Sequence, residues 1–177
     1  ISGDPTDVVS STTSTFTLRA TANNQTVDRS FNIIVNPSPT GGNLINEYTY
    51  SGTTYRIHKF TSNGNFAISN SRTVDYLIIG GGGGSGHHSG GGGGAGGLVW
   101  QTGQSLSAGT YSAVIGTGGS VRYDNSGTNG VSSSFNSHIG LYGGSGSCGG
   151  QAVNAENGGS GGGGAGNTGA SAGSSIQ

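Results

Sequence analysis

Asp75-Tyr76-Leu77-Ile78-Ile79-Gly80-Gly81-Gly82-Gly83-Gly84 decides the reading of this chain, because an apolar run passes into five glycines with no polar residue between them. The pattern predicts a strand over 73–79, and its unbroken apolar end predicts that both faces are covered. A second run, Gly90-Gly91-Gly92-Gly93-Gly94, and a third, Gly161-Gly162-Gly163-Gly164, follow. Single glycine runs are usually flexible linkers. These recur, alternate with strand signals such as 98–100, 109–115 and 131–135, and begin directly on an apolar strand. An ordered alternative is an extended threefold helix rising about 3.1 Å per residue, with no internal hydrogen bonds. Its N–H and C=O groups point sideways and need partners when buried. Glycine lets neighbouring helices approach closely enough to supply them. The fold class expected is therefore all-β, antiparallel strands plus packed polyglycine II helices, with essentially no α-helix. On this reading Gly82→Val and Gly162→Val are both expected to disrupt the packing.

Composition agrees with two regions obeying different physics. Of 177 residues 40 are Gly, and only five of those precede Gly80, whereas only Arg122, Asp124 and Glu156 carry charge beyond it. Six basic and seven acidic residues give a net charge of −1, so there is no basic stripe for nucleic acid. No apolar run reaches the length of a membrane-spanning helix, so no membrane insertion is expected. Met is absent even at position 1, from which we expect a piece of a longer polypeptide or a processed one. The single Cys148 leaves the redox compartment open.

Upstream, residues 15–22 alternate with Phe16, Leu18, Ala20 and Ala22 on one face, and Asn23-Asn24 signals a turn. Residues 27–35 resume with Phe31, Ile33 and Val35 on one face. A two-stranded hairpin is marginal alone, so further strands or another chain are expected to cover it. Asn36-Pro37-Ser38-Pro39-Thr40-Gly41-Gly42 reads as a linker. The expected organisation is a β-domain end at 1–36, a linker at 37–44 and a β plus glycine-rich domain at 45–177. Within the last, strands are expected at 46–50, 53–60, 66–69 and 73–79, the first two joined at Ser51-Gly52.

The order of these elements resembles the glycine-rich domain of bacteriophage tail-fibre and virion proteins. The resemblance rests on 75–84 and 90–99, on Leu106-Ser107-Ala108-Gly109-Thr110-Tyr111 followed by Val114-Ile115-Gly116-Thr117-Gly118-Gly119, and on Asn129-Gly130-Val131-Ser132-Ser133-Ser134-Phe135. The hairpin at 12–35 is similar to the last strands of immunoglobulin-like or cadherin-like repeats. The resemblance implies a structural or adhesive virion appendage, a tail fibre or tail-associated fibre. It implies location on the virion, association as a homo-oligomer with a homotrimer favoured, and contact with other virion proteins. The alternatives are a bacterial cell-surface adhesin or extracellular filament subunit at the cell surface, and a receptor-type glycine-rich ectodomain. The scarcity of cysteine weighs against the last.

Little here suggests chemistry. His87-His88 lies in a Gly/Ser loop with no Cys, Asp or Glu nearby in sequence, and reads as a loop tip without metal. The Gly-x-Gly-x-x-Gly at 80–86 and the Gly-x-Ser-x-Gly letters at 158–162 follow from composition, and no helix pattern succeeds either. Asp124-Asn125-Ser126-Gly127 reads as a polar turn, and Cys148 as a small buried thiol and not as a nucleophile paired with His138. No enzyme activity and no cofactor are expected. If specificity exists it belongs to the stretches between glycine runs: 85–89, 121–128 and 145–157. The receptor-contact candidates are His87, His88, Tyr123, Asp124, Asn125 and Tyr142, facing a host-surface glycan or protein. Trp100 is a further aromatic with either a contact or a packing role.

Overall fold

The computed structural model describes residues 8–123, 125–167 and 169–177. Among these residues there is no α-helix, and all strand pairing is antiparallel. The chain belongs to the all-β class that its periodicity predicts.

Strands β1 (Thr12–Ala22) and β2 (Gln25–Val35) form a hairpin that pairs Phe16 with Phe31. Asn23 and Asn24 turn it with φ of 50° and 59°, the left-handed pair a tight hairpin needs. β3 (Leu44–Tyr50) and β4 (Thr53–Lys59) form a second hairpin through Ser51-Gly52. Both hairpins are exposed along most of their length. Thr40 and Ala67 exchange backbone hydrogen bonds of 3.0 Å, so the stretch read as a linker is bonded to the strand that comes after the second hairpin.

That strand, β5 (Gly64–Ile68), starts the four-stranded sheet that holds the apolar core. β6 (Arg72–Ile79) and β7 (Leu98–Leu106) pair separately, while β8 (Gly109–Val114), β9 (Ser133–Phe135) and β10 (His138–Gly140) complete the sheet in the order β10-β9-β8-β5. Phe66, Ile68 and Leu106 are buried together, with Phe60, Val74, Tyr111 and Phe135 packed on them. β10 and its Asn136-Ser137 turn, with φ of 47° and 66°, go beyond the sequence expectation.

One expectation about β6 is overturned. Ile78 is buried, but Leu77 and Ile79 are 49% and 57% exposed, so only one face of the strand is covered. β6 pairs with β7 alone, and the inner side of that ribbon meets β9 and β10. A continuous apolar run fixed no second covering layer.

The glycine half continues the β6–β7 ribbon. Its register runs on without a shift, as Gly80, Gly83 and Gly86 donate to the carbonyls of Gly97, Gly94 and Gly91 at 3.0, 2.8 and 2.9 Å. The bonding repeats every third residue, the period of an extended threefold helix. The residues between serve other neighbours. Gly81 and Gly84 donate to Val131 and Thr128, and Gly82 accepts from Gly119. One segment of glycine is thereby bonded on several sides, where a strand is bonded on two.

The same period relates the remaining segments and fixes their directions. Segments 80–86, 116–120, 141–149 and 160–163 run one way; 91–97, 127–131, 154–159 and 171–176 run the other. Consecutive segments thus alternate up and down. The strands sit at one end, and the connections near 87–90, 121–126, 149–153 and 164–170, in their described residues, gather at the other.

Candidate functional site: the far end of the glycine array

Segment 141–149 holds the array together. Residues 143–149 are all buried, although the largest side chain among them is that of Cys148. Burial without apolar bulk requires complete backbone pairing. Every N–H from Leu141 to Gly149 donates a hydrogen bond. Gly143, Gly146 and Gly149 donate to Gly81, Gly84 and His87, and Gly144 and Ser147 to Ser160 and Gly163. Leu141 donates to Gln177 Oε1 at 2.9 Å. Tyr142, Ser145 and Cys148 donate to Ser132 Oγ, Asn129 Oδ1 and Ser126 Oγ at 3.1, 2.8 and 3.3 Å.

Those three acceptors are themselves three residues apart, so side chains on one face of their segment replace a missing row of carbonyls. Asn154 and Asn157 act alike, accepting from the N–H groups of Ser171 and Ser174 at 2.9 and 2.7 Å. These ladders lie outside the expectations from sequence. Their signal is visible in hindsight as polar residues at every third position of a Gly/Ser-rich stretch.

The glycine runs divide by orientation. At Gly80, Gly81, Gly83 and Gly84 an added Cβ would overlap a neighbouring backbone carbonyl; the same holds at Gly90, Gly91, Gly93 and Gly94, and at Gly161, Gly162 and Gly164. Gly163 is tight, with Gly92 N at 3.2 Å. Gly82 and Gly92 differ: the first meets only Gly94 O at 3.5 Å and the second meets nothing within 4 Å. The expectation for Gly82→Val is therefore corrected, because position 82 points out of the array, while that for Gly162 stands on its overlap with Ser145 O.

At the far end the structure brings together three candidates named from sequence. The His87 ring lies 4.2 Å from His88 at 74° and 5.0 Å from Tyr123 at 66°. Tyr123 is 82% exposed, and Asn125 is exposed beside it, its Oδ1 accepting from Ser126 N at 2.8 Å. His87 Nδ1 is buried with no hydrogen-bond partner among the described residues. His88 and Ser89 turn the chain with φ of 49° and 59°, a conformation that costs a non-glycine residue roughly 1 kcal/mol or more. Asp124 lies outside the described residues.

Tyr142 does not belong to this cluster. It begins segment 141–149, at the strand end, and its carbonyl accepts from Gly159 at 2.7 Å. At about 3.1 Å per residue it sits roughly 20 Å from the His87 level. The stretch 145–157 also shrinks as a loop, since 145–149 is buried and the exposed turn is near 150–153. The connection near 164–170, absent from the sequence expectations, reaches the same end. Cys148 is 1% exposed, and His138 is engaged elsewhere, its Nδ1 lying 2.9 Å from the Tyr76 hydroxyl. Among the described residues no group of three or more His, Cys, Asp or Glu is placed to hold a metal, and no helix is long and apolar enough to cross a membrane.

The profile of the glycine-rich domain family matches residues 61–176, about two thirds of the chain. This chain belongs to that family. No curated protein and no solved structure matches it significantly.

Proposed function

We propose that this chain is a structural or adhesive part of a virion appendage, a phage tail fibre or tail-associated fibre. It contacts the host surface through the loops at the far end of its glycine array. The reading takes the threefold segments as polyglycine II helices and gives the protein no enzymatic role and no cofactor. The observation that carries it is the alternation of segment directions, which gathers the four connections near 87–90, 121–126, 149–153 and 164–170, in their described residues, at the end opposite the strands. A rigid shaft with its variable chemistry at one tip suits an attachment device. The His87, His88 and Tyr123 rings, with the Asn125 amide, supply stacking surface and hydrogen bonds for a neutral glycan or a protein loop. Such contacts are weak singly, and copies arrayed on a particle raise their effective concentration.

A homotrimer associating with other virion proteins is part of this reading. The exposed faces of the β1–β2 and β3–β4 hairpins support it, since large apolar side chains such as Leu18, Phe31, Tyr48 and Ile57 stand in solvent. Replacing His87, His88 and Tyr123 by Ala is expected to lower adsorption of particles to host cells at least tenfold while the appendage still assembles. Unchanged adsorption leaves the chain as a spacer. Labelling the chain in images of the particle and of the cell envelope separates the virion reading from a cell-surface adhesin.

A further inference from the structure

The β6–β7 ribbon and the glycine hairpin that extends it share one outer face. Its register pairs Leu77 with Trp100 and Ile79 with Leu98, and the same order brings Gly82 and Ser85 beside Ala95 and Gly92. The four apolar side chains are 49–59% exposed. Beyond them the surface is nearly bare. Gly82, Gly92 and, on the adjoining segment, Gly118 have room for a Cβ, the nearest atoms being Gly94 O at 3.5 Å for Gly82 and Gly82 O at 3.7 Å for Gly118. Inward glycines are required by the chain's own packing; these three are not. The N–H groups of Gly82, Ser85, Gly92 and Ala95 donate to no acceptor among the described residues.

We propose that this face is the docking surface for a second copy of the chain, paired about a twofold axis through the strand–glycine junction near Gly80 and Gly97. That axis sets the Leu77–Trp100 block of one copy on the glycine floor of the other. Bulk meets bare backbone at both ends of one isologous contact. A twofold axis parallel to the segments is ruled out by volume. It would stack block on block and hold the two floors too far apart to touch.

Two observations favour a copy of this chain as the occupant. The face carries no charged side chain between residues 77 and 88 or between 92 and 100, so identical copies do not repel. The face measures roughly 35 by 15 Å, so two copies bury about 1,000 Å², the size at which specific interfaces begin. Such a contact is weak for isolated chains and effective between chains already held side by side.

The test is sedimentation and native mass spectrometry of the full chain over a wide concentration range. The wild type is expected to show a concentration-dependent doubling of whatever species exists at low concentration. Gly92→Val, at a position where an added Cβ meets nothing within 4 Å, is expected to weaken that doubling at least tenfold with an unchanged circular dichroism spectrum. Trp100→Ser, on the same exposed face, is expected to do likewise. Absence of doubling in the wild type overturns the proposal, as does doubling that survives both variants. A trimer at low concentration that does not double overturns this contact and leaves the proposed trimer standing. Doubling of a monomer does the reverse.

Discussion

The β1–β2 hairpin and the 141–149 segment are opposite answers to the same requirement, that backbone polar groups be paired. The hairpin pairs its backbone on one side and carries large side chains, yet nearly every residue stays exposed. The segment carries almost no side chain, yet residues 143–149 are buried and every N–H has an acceptor. Burial of a core ordinarily rests on apolar area. Here it rests on backbone approach, which only glycine and a few small residues allow. The hairpin is therefore sensitive to what covers its side chains, and the array to any atom that separates its segments.

The sharpest way to break this contrast is one substitution placed at two glycines. Gly162→Val, where Cβ overlaps Ser145 O, is expected to cost about 4 kcal/mol or more and to unfold the array. Gly82→Val, with only Gly94 O at 3.5 Å, is expected to fall within about 1 kcal/mol of wild type. Thermal melts followed by circular dichroism separate the two, and equal effects would mean that the outward and inward faces do not exist. Amide exchange gives the same contrast without mutation. Protection is expected at 143–149, with fast exchange at Gly82, Gly92 and Ala95 and at the Asn23-Asn24 turn.

The side-chain ladder comes next in size. Asn129→Ala leaves the N–H of Ser145, a buried residue, without its acceptor, an expected loss of about 1–3 kcal/mol read from chemical denaturation. In the hairpin, Phe16→Ala removes a stacked pair with ring centroids 5.5 Å apart, and a loss near 1 kcal/mol is expected. A much larger loss would show that the hairpin face is covered in the assembled protein.

The smallest effect is a pH dependence. The Arg19 guanidinium, bonded to Asp28 at 2.7 Å through two nitrogens, holds the Asp28 carboxyl below its ordinary value. A depressed folded value means the pair stabilises the hairpin above the unfolded carboxyl pKa of about 3.9 and is lost as pH falls through the folded value. Both groups are exposed, so the change is slight. Amide chemical shifts around Phe31 between pH 6 and 2 are expected to follow it, and Asp28→Asn to abolish it.

The amino-acid sequence determined the strands other than β10, the turns at Asn23-Asn24 and Ser51-Gly52, and the division near Gly80, because alternation, turn chemistry and glycine density are local properties. It also pointed to a His87, His88 and Tyr123 tip, since the few aromatic and polar residues between glycine runs have nowhere else to concentrate. Tertiary structure decided the rest. Whether a glycine in a run faces inward, as Gly83 does, or outward, as Gly82 does, depends on which segment lies alongside, and five identical letters do not carry that information. The same holds for Leu77 and Ile79, exposed in an unbroken apolar run, and for Tyr142, placed at the opposite end from the residues with which composition grouped it. Neighbours in a lattice of backbones are chosen by register between distant segments, and register belongs to the folded chain.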